Sequence, residues 1–379
     1  MSLNNHSNTI LVATGLYPPE IGGPATYSKF LEENLPSHNI GVTVVPFRSV
    51  RKYPVGIRHV IYFFKLIAEG RKSDIIYAQD TMSVGLPAAL ASFFLRKKLM
   101  VRVPGDHVWE QGVRRFGITA QLEEMPLFSF SWHPYLILMR MLQRLVVWRA
   151  TILVVPSEYM ATIVQKWPAA KGKVRVIYNG VEQFQAGNKP VLRGLLNFQG
   201  PLILSVGRLV PWKGFRGLIT LMPELKKKFN NIRLFIIGSG PDLDGLESYT
   251  KELGVEDNVT FAGEVERDVL IRYIRASDVF VLNSRYEGLS HQILEVMSVG
   301  TPVITTNVGG NPEVIDDKRT GYLVKPDASS DIMRHIEALL SDSGLRARIV
   351  GAAKRAVKHF SHERMIKETA NIVRTICAS

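Results

Sequence analysis

The sequence predicts an α/β protein of two doubly wound halves, each a mostly parallel sheet wrapped by helices. Three observations predict it. Short apolar, β-prone runs alternate with helical segments along the chain. The alternation restarts near residue 200. At 379 residues, 46% of them hydrophobic, the chain is too long for one ordinary core and apolar enough to fill two. In the first half the runs are Ile10–Thr14, Val42–Pro46, Ile75–Ala78, Leu99–Val103, Ile152–Pro156 and Val174–Tyr178.

In the second half, strands are expected at Pro201–Val206, Ile232–Gly238, Val259–Ala262, Val279–Leu282, Pro302–Thr305 and Gly321–Val324. Helices are expected from about Phe215 and over about Asp244–Leu253. The unbroken apolar stretch Leu234-Phe235-Ile236-Ile237 suits a strand buried on both faces. The polar segment Gln185–Pro190, with its Gly and Pro, reads as a linker. The domains are therefore expected at 1–190 and 191–357. Ligands of such sheets lie outside the carboxyl ends of the strands, and two sheets facing each other would make one deep cleft.

Composition narrows the function. A single cysteine, Cys377, excludes a disulfide framework and a cysteine-based metal site within one chain. The polar stretch Met1–Thr9 lacks the charged and apolar regions of a secretory signal. No apolar run approaches the ~20 residues that cross a bilayer. Net charge is +13, and the first 190 residues carry 22 Lys and Arg against 12 Asp and Glu. Such a basic half implies an anionic partner: a membrane surface, a nucleic acid or an acidic substrate.

The strongest chemical signal is Glu287-Gly288-Leu289-Ser290-His291-Gln292-Ile293-Leu294-Glu295. One carboxylate precedes a helix and the other lies inside it. Gly288 permits close backbone approach to a ligand, and the helix start offers N–H groups to an anion. Two carboxylates can accept bonds from sugar and ribose hydroxyls. A second signal, Gly207-Arg208-Leu209-Val210-Pro211-Trp212-Lys213-Gly214, places two cations after a buried-type strand. These can offset the charge of a departing diphosphate. A third, Tyr17–Pro24 with Gly22-Gly23, forms a loop after the first strand that can cradle phosphate with its amides. Each motif alone is also what ordinary loops carry. Gly238-Ser239-Gly240-Pro241, Gly309-Gly310-Asn311-Pro312-Glu313 and Asn179-Gly180-Val181 each follow a strand as well. Neither G-x-G-x-x-G nor G-x-x-x-x-G-K-[ST] occurs.

In this order, with Ser157 after the fifth strand, the motifs resemble those of the retaining glycosyltransferases of family 4, which have the GT-B fold of two Rossmann-like domains facing across a cleft. The resemblance covers nearly the whole chain and is strongest over 200–325. It implies that Arg208 and Lys213 grip a donor diphosphate, that Glu287 faces the sugar and that Glu295 faces the ribose. Gly238 would border the nucleotide. Backbone near Gly288, Leu289 and Ser290 would hold sugar and phosphate, and Gly22 and Gly23 would bring the first domain onto the donor. It implies no metal and no cofactor beyond a nucleotide-diphosphate sugar. It also implies that the last stretch, 358–379, crosses back to the first domain. The family's His near the reacting sugar corresponds to His107 in Val103-Pro104-Gly105-Asp106-His107-Val108-Trp109-Glu110, where a Pro-Gly pair intervenes; Asp106 and Trp109 are then acceptor-side candidates. Rival readings are a GT-B sugar-nucleotide epimerase, an inverting transferase and a non-catalytic nucleotide-sugar-binding protein.

The first domain would hold the acceptor, a glycan or a lipid-linked sugar. Three of its stretches mix cations with apolar and aromatic residues: Arg51–Leu66, Ser92–Met100 and Pro126–Ala150, the last with Arg140 and Arg144 one helical turn apart. Basic amphipathic helices bind anionic membrane surfaces; ordinary helices of this composition pack their apolar face on a sheet. No nucleic-acid partner is expected, because no recognised binding motif is present. The expected location is the cytoplasm, peripheral at the inner face of the membrane.

Overall fold

The computed structural model describes residues 8–20, 22–126, 129, 133–184, 189–195 and 199–378. The chain forms two compact units: residues 1–179 with 362–379, and residues 180–361.

Unit 1 contains strands β1 (Asn8–Thr14), β2 (Ile40–Pro46), β3 (Ile75–Ala78), β4 (Lys98–Arg102), β5 (Ile152–Val155) and β6 (Val174–Val176). All neighbours pair in parallel, in the order β2-β1-β3-β4-β5-β6. Its helices are α1 (Gly23–Asn34), α2 (Ile57–Gly70), α3 (Gly85–Phe94), α4 (His107–Phe116), α5 (Pro134–Arg149) and α6 (Glu158–Gln165). Unit 2 opens with α7 (Lys189–Leu195), followed by β7 (Leu202–Val206), α8 (Phe215–Lys228), β8 (Arg233–Ile237), α9 (Leu243–Glu252), β9 (Val259–Phe261) and α10 (Arg267–Ala276). Then come β10 (Val279–Leu282), α11 (His291–Val299), β11 (Val303–Thr306), β12 (Tyr322–Val324), α12 (Ser329–Ser341) and α13 (Ser343–Ala356). Its strands are also parallel, in the order β12-β11-β10-β7-β8-β9. The last helix, α14 (His362–Ala378), returns to unit 1.

Each expected strand is present within two residues of its expected ends. The inner strands are buried runs, as in β3, β7, β10, β11 and Leu234–Ile237 of β8, which is why an unbroken apolar stretch rather than alternation marks them. In unit 1, Ile10, Val12, Ile75, Tyr77 and Met100 point to one side of the sheet, onto α1 and α14. Met365, Ile366, Val373 and Ile376 of α14 complete that core. In unit 2 the core gathers Ile203, Leu234 and Ile304 with Ile219, Met222 and Ile336 of the flanking helices.

The boundary between the units falls at Asn179 and Gly180, not at residue 190. The reason is local to unit 2. Lys189 of α7 donates to the Asp278 carboxylate at 2.7 Å, and Arg193 pairs with the same group. Asp278 also accepts from the Leu202 amide at the start of β7, so α7 is tied to the foot of the second sheet. Most of the segment read as a linker, 185–188, lies outside the described residues. At the other end, the segment of unit 1 starts at His362, because Val181 pairs with Ser361 inside unit 2.

Candidate functional site

In unit 2 the strand order changes direction between β7 and β10: β8 and β9 run away on one side, β11 and β12 on the other. Such a crossover leaves a crevice at the carboxyl ends of the two strands. The two strongest sequence motifs occupy the loops that leave them.

Lys213, in the loop after β7, donates to Glu287 Oε1 at 2.6 Å. Glu287 is 7% exposed and also accepts from the Ser284 hydroxyl at 2.7 Å. The two loops are laced by backbone as well: the Arg285 amide donates to the Trp212 carbonyl at 2.7 Å. Gly214, at φ 69°, lies where a Cβ would stand 2.0 Å from the Asn283 carbonyl. Arg208 is exposed at the head of the same loop. Gly238 supports that loop from β8, because a Cβ there would be 2.0 Å from the Gly207 carbonyl.

Glu287 and Gly288 are backed from β11. Gly309, at φ 56°, would place a Cβ 1.8 Å from the Glu287 carbonyl, and a Cβ on Gly310 would stand 2.4 Å from that of Gly288. The Gly310 amide donates to the Glu287 carbonyl. Asn311, fully buried, holds the turn with bonds to Thr305 Oγ1 and the Thr306 carbonyl. Sequence reasoning noted these glycines only as a loop; a close backbone approach is their physical purpose.

Ser290 caps α11, its hydroxyl accepting from the Ile293 amide at 3.4 Å. That cap leaves the buried hydroxyl's own O–H available as a donor. Leu289 is likewise buried. Glu295, 6% exposed, faces Arg267 and His291, each at 3.5 Å. Burial pushes its carboxyl up, but the His291 hydrogen bond and the charges of His291 and Arg267 outweigh it and hold the group below the usual carboxylate range. Arg267 and His291 were not singled out in the sequence. Among the described residues no three His, Cys, Asp or Glu side chains converge as a metal site. The D-x-D tripeptide Asp242-Leu243-Asp244 stands at the start of α9, where carboxylates are favoured by the helix dipole.

Unit 1 gathers its candidates at the carboxyl ends of β1, β3 and β4. Gly22 caps α1 at φ 148°, a conformation that favours glycine, whereas a Cβ on Gly23 would meet open space. Ile21 between loop and cap lies outside the described residues. Arg51 donates to the Gly15 carbonyl at 2.6 Å and pairs with Glu20, bracing the same loop. Asp80 after β3 accepts from the Met82 and Val84 amides, with its other oxygen close to Gly15. His107 is half-buried at the first position of α4. Burial lowers its imidazole pKa; the carboxylates of Asp80 and Asp106 oppose this, and Arg114 and Arg115 add to it. Ser157 caps α6, and Asn179 accepts from buried Arg102 at 2.6 Å.

Asp106 and Trp109 are corrected. One Asp106 oxygen caps α4, accepting from Val108 and Trp109 amides, and the other pairs with buried Arg140 at 2.8 Å. Trp109 is buried and donates its indole N–H to the Ala120 carbonyl. Both serve the packing of unit 1 rather than facing an acceptor. Arg140 is corrected with them: it is 4% exposed and shares Gln143 as a further partner, so it presents no cation to a surface.

Two family descriptions match the chain: Glycosyltransferase Family 4 over residues 17–183, and glycosyl transferases group 1 over 194–356. An uncharacterized glycosyltransferase of Methanocaldococcus jannaschii is 29% identical over 96% of this chain and 97% of its own. A GDP-mannose-dependent α-(1-6)-phosphatidylinositol monomannoside mannosyltransferase of Mycobacterium tuberculosis is 35% identical over 41% of this chain and 42% of its own. The Anabaena protein HepE, solved with UDP-glucose, superposes with a TM-score of 0.75 at 20% identity, covering 97% of this chain and all of that one. With one description on each half of the chain, two parallel six-stranded sheets and this fold likeness, the chain belongs to the family 4, group 1 glycosyltransferases and has the GT-B fold.

Proposed function

We propose that the protein transfers a sugar from a nucleotide-diphosphate donor to an acceptor hydroxyl with retention at the anomeric carbon. The observation that carries the reading is the Lys213–Glu287 pair at the β7/β10 crossover, beside exposed Arg208 and the N-terminus of α11. Without donor, each charge of the pair offsets the other. With donor, Lys213 and Arg208 meet the diphosphate and Glu287 accepts from a sugar hydroxyl, so neither buried charge is left uncompensated. Glu295, ionised and held by Arg267, accepts from the ribose. The bond from the anomeric carbon to the β-phosphate oxygen breaks and its electrons leave with the diphosphate. The acceptor oxygen bonds to that carbon on the same face, and its proton passes to a departing phosphate oxygen. The cations and α11 stabilise the charge that grows there. His107 hydrogen-bonds near the reacting sugar. The UDP-glucose held by HepE and the GDP-mannose of the mycobacterial relative support a nucleotide-sugar donor, and the latter's phosphatidylinositol-based acceptor supports a lipid-linked one.

A thermal-shift screen of UDP-, GDP- and ADP-sugars without metal tests the donor. A donor at a hundredfold excess over its dissociation constant should stabilise the protein by about 2.7 kcal/mol. Product analysis by anomeric proton NMR tests retention. No stabilisation by any of the three, or an inverted product, would overturn the reading.

The depressed pKa of His107 sets a pH expectation. Its neutral form persists below the ordinary imidazole value of 6.5, so the acid limb of kcat/KM should fall under that pH. The limb should vanish or move in His107→Gln. If the variant kept an identical limb, His107 would not be the titrating group.

A further inference from the structure

Unit 1 carries a large exposed apolar face that the transfer reaction does not use. Among the described residues, the large hydrophobic side chains that stand out to solvent all fall between Tyr53 and Trp148. On α2 they are Ile57, Val60 and Phe64; on α5 they are Leu138, Met141, Leu145 and Trp148. Both sets follow the three- and four-residue spacing that lines one side of a helix. On α3, between these two helices and packed against both, Phe93 and Phe94 project as well. Ring contacts join the tips of α2 to those of α3: Phe63 lies 5.1 Å from Phe64 and 5.7 Å from Phe94, which lies 5.8 Å from Phe93; α5 joins them by packing against α3. Phe94 is 66% exposed and Trp148 62%. The apolar side chains that face the sheet are a different set, such as Tyr62 and Leu66 of α2. An apolar face of this extent is kept exposed for an occupant.

The charges around it select the occupant. Residues 48–100 hold ten Lys and Arg against three Asp and Glu. Lys52, Lys65, Arg96 and Lys98, sequence neighbours of the apolar tips, are exposed. A second copy of the chain would bring two cationic rims together, which is repulsive. Anionic lipid offers both halves of the complement at once: phosphates for the cations and acyl chains for the aromatic tips. No helix of the described residues is long and apolar enough to cross a membrane, so the contact is interfacial.

We propose that the face formed by α2, α3 and α5 docks the protein on the surface of an anionic bilayer. Phe64, Phe93, Phe94 and Trp148 enter the headgroup boundary, and the lysines and arginines around them meet the lipid phosphates. The docking goes beyond the transfer reading and does not depend on it.

The full chain is sedimented with vesicles of phosphatidylglycerol and phosphatidylcholine, and with phosphatidylcholine alone. Binding is expected to the first set, at least about tenfold weaker to the second, and falling with salt. The variant F64S/F93S/W148S should lose about tenfold or more in partitioning while keeping the wild-type donor-induced thermal shift. K52E/K65E/K98E, which leaves the apolar tips in place, should lose binding too. A blue shift of tryptophan emission on adding vesicles should shrink in Trp148→Phe. The proposal is overturned by absence of binding to phosphatidylglycerol vesicles, or by equal binding to neutral ones. It is also overturned if both variants bind as wild type, or if light scattering finds a dimer that the apolar substitutions dissociate. A donor shift without vesicle binding sinks the docking alone; vesicle binding without any donor shift sinks the transfer reading alone.

Discussion

Lys213→Ala should lose donor binding and lower kcat/KM by about a hundred- to a thousandfold, the scale for removing one preorganised charge from a developing anion. Two effects add. The diphosphate loses a cation, and Glu287, 7% exposed, loses the partner that neutralises it. An uncompensated carboxylate in a buried site repels the incoming phosphates and destabilises unit 2; breaking a buried pair typically costs about 3–5 kcal/mol. The two effects separate in the double variant. Adding Glu287→Gln removes the stranded charge, so the melting temperature should recover in part while transfer stays low. Calorimetry and initial rates on the two variants check this. Transfer by Lys213→Ala within about tenfold of wild type, a difference of only ~1.4 kcal/mol, would remove Lys213 from the reaction.

Gly309→Ala should be nearly as damaging, although Gly309 touches no donor in the proposed reaction. Its backbone is left-handed at φ 56°, and the added methyl would sit 1.8 Å from the Glu287 carbonyl oxygen. Neither can be relieved by turning a side chain. The backbone strain costs about 1–2 kcal/mol, and the clash must be met by moving either β11 or the loop that carries Glu287. We expect roughly 2–4 kcal/mol of lost stability and a loss of transfer larger than the stability change accounts for, because Glu287 and Gly288 are displaced together. Gly194→Ala on α7 is the control, since a Cβ there meets nothing within 4 Å and the position is exposed. If Gly309→Ala kept both stability and rate, the backing of Glu287 by the β11 loop would be irrelevant to its position.

These two positions show what was legible in the sequence and what was not. The strands were readable because parallel strands buried on both faces are written as unbroken apolar runs, and their ends follow the ladder to within two residues. Glu287, Lys213 and Arg208 were readable because they sit in loops that leave strands, at fixed places beside glycines. Their pairing was not, since it joins residues 74 positions apart. The same distance effect hid the unit boundary. Gln185–Pro190 has a linker's composition, yet Lys189 and Arg193 are bound to Asp278. It also inverted the reading of α5. Arg140 looked like a surface cation among apolar residues, but Asp106 draws it inward while Leu138, Met141, Leu145 and Trp148 stand out. Periodicity shows that a helix has an apolar stripe; only the partner of each charge shows which stripe faces the sheet.

The return of α14 to unit 1 has a consequence for how the chain is made. Met365, Ile366, Val373 and Ile376 close the core beside β1 and β3, which leave the ribosome first. All of residues 180–361, a continuous unit with its own core, are synthesised in between. The second unit can therefore reach its native state on the nascent chain while the first waits, its sheet open on one side, for the last helix to emerge. Biosynthesis thus reverses the usual sequence, with the unit translated first being the last to be completed.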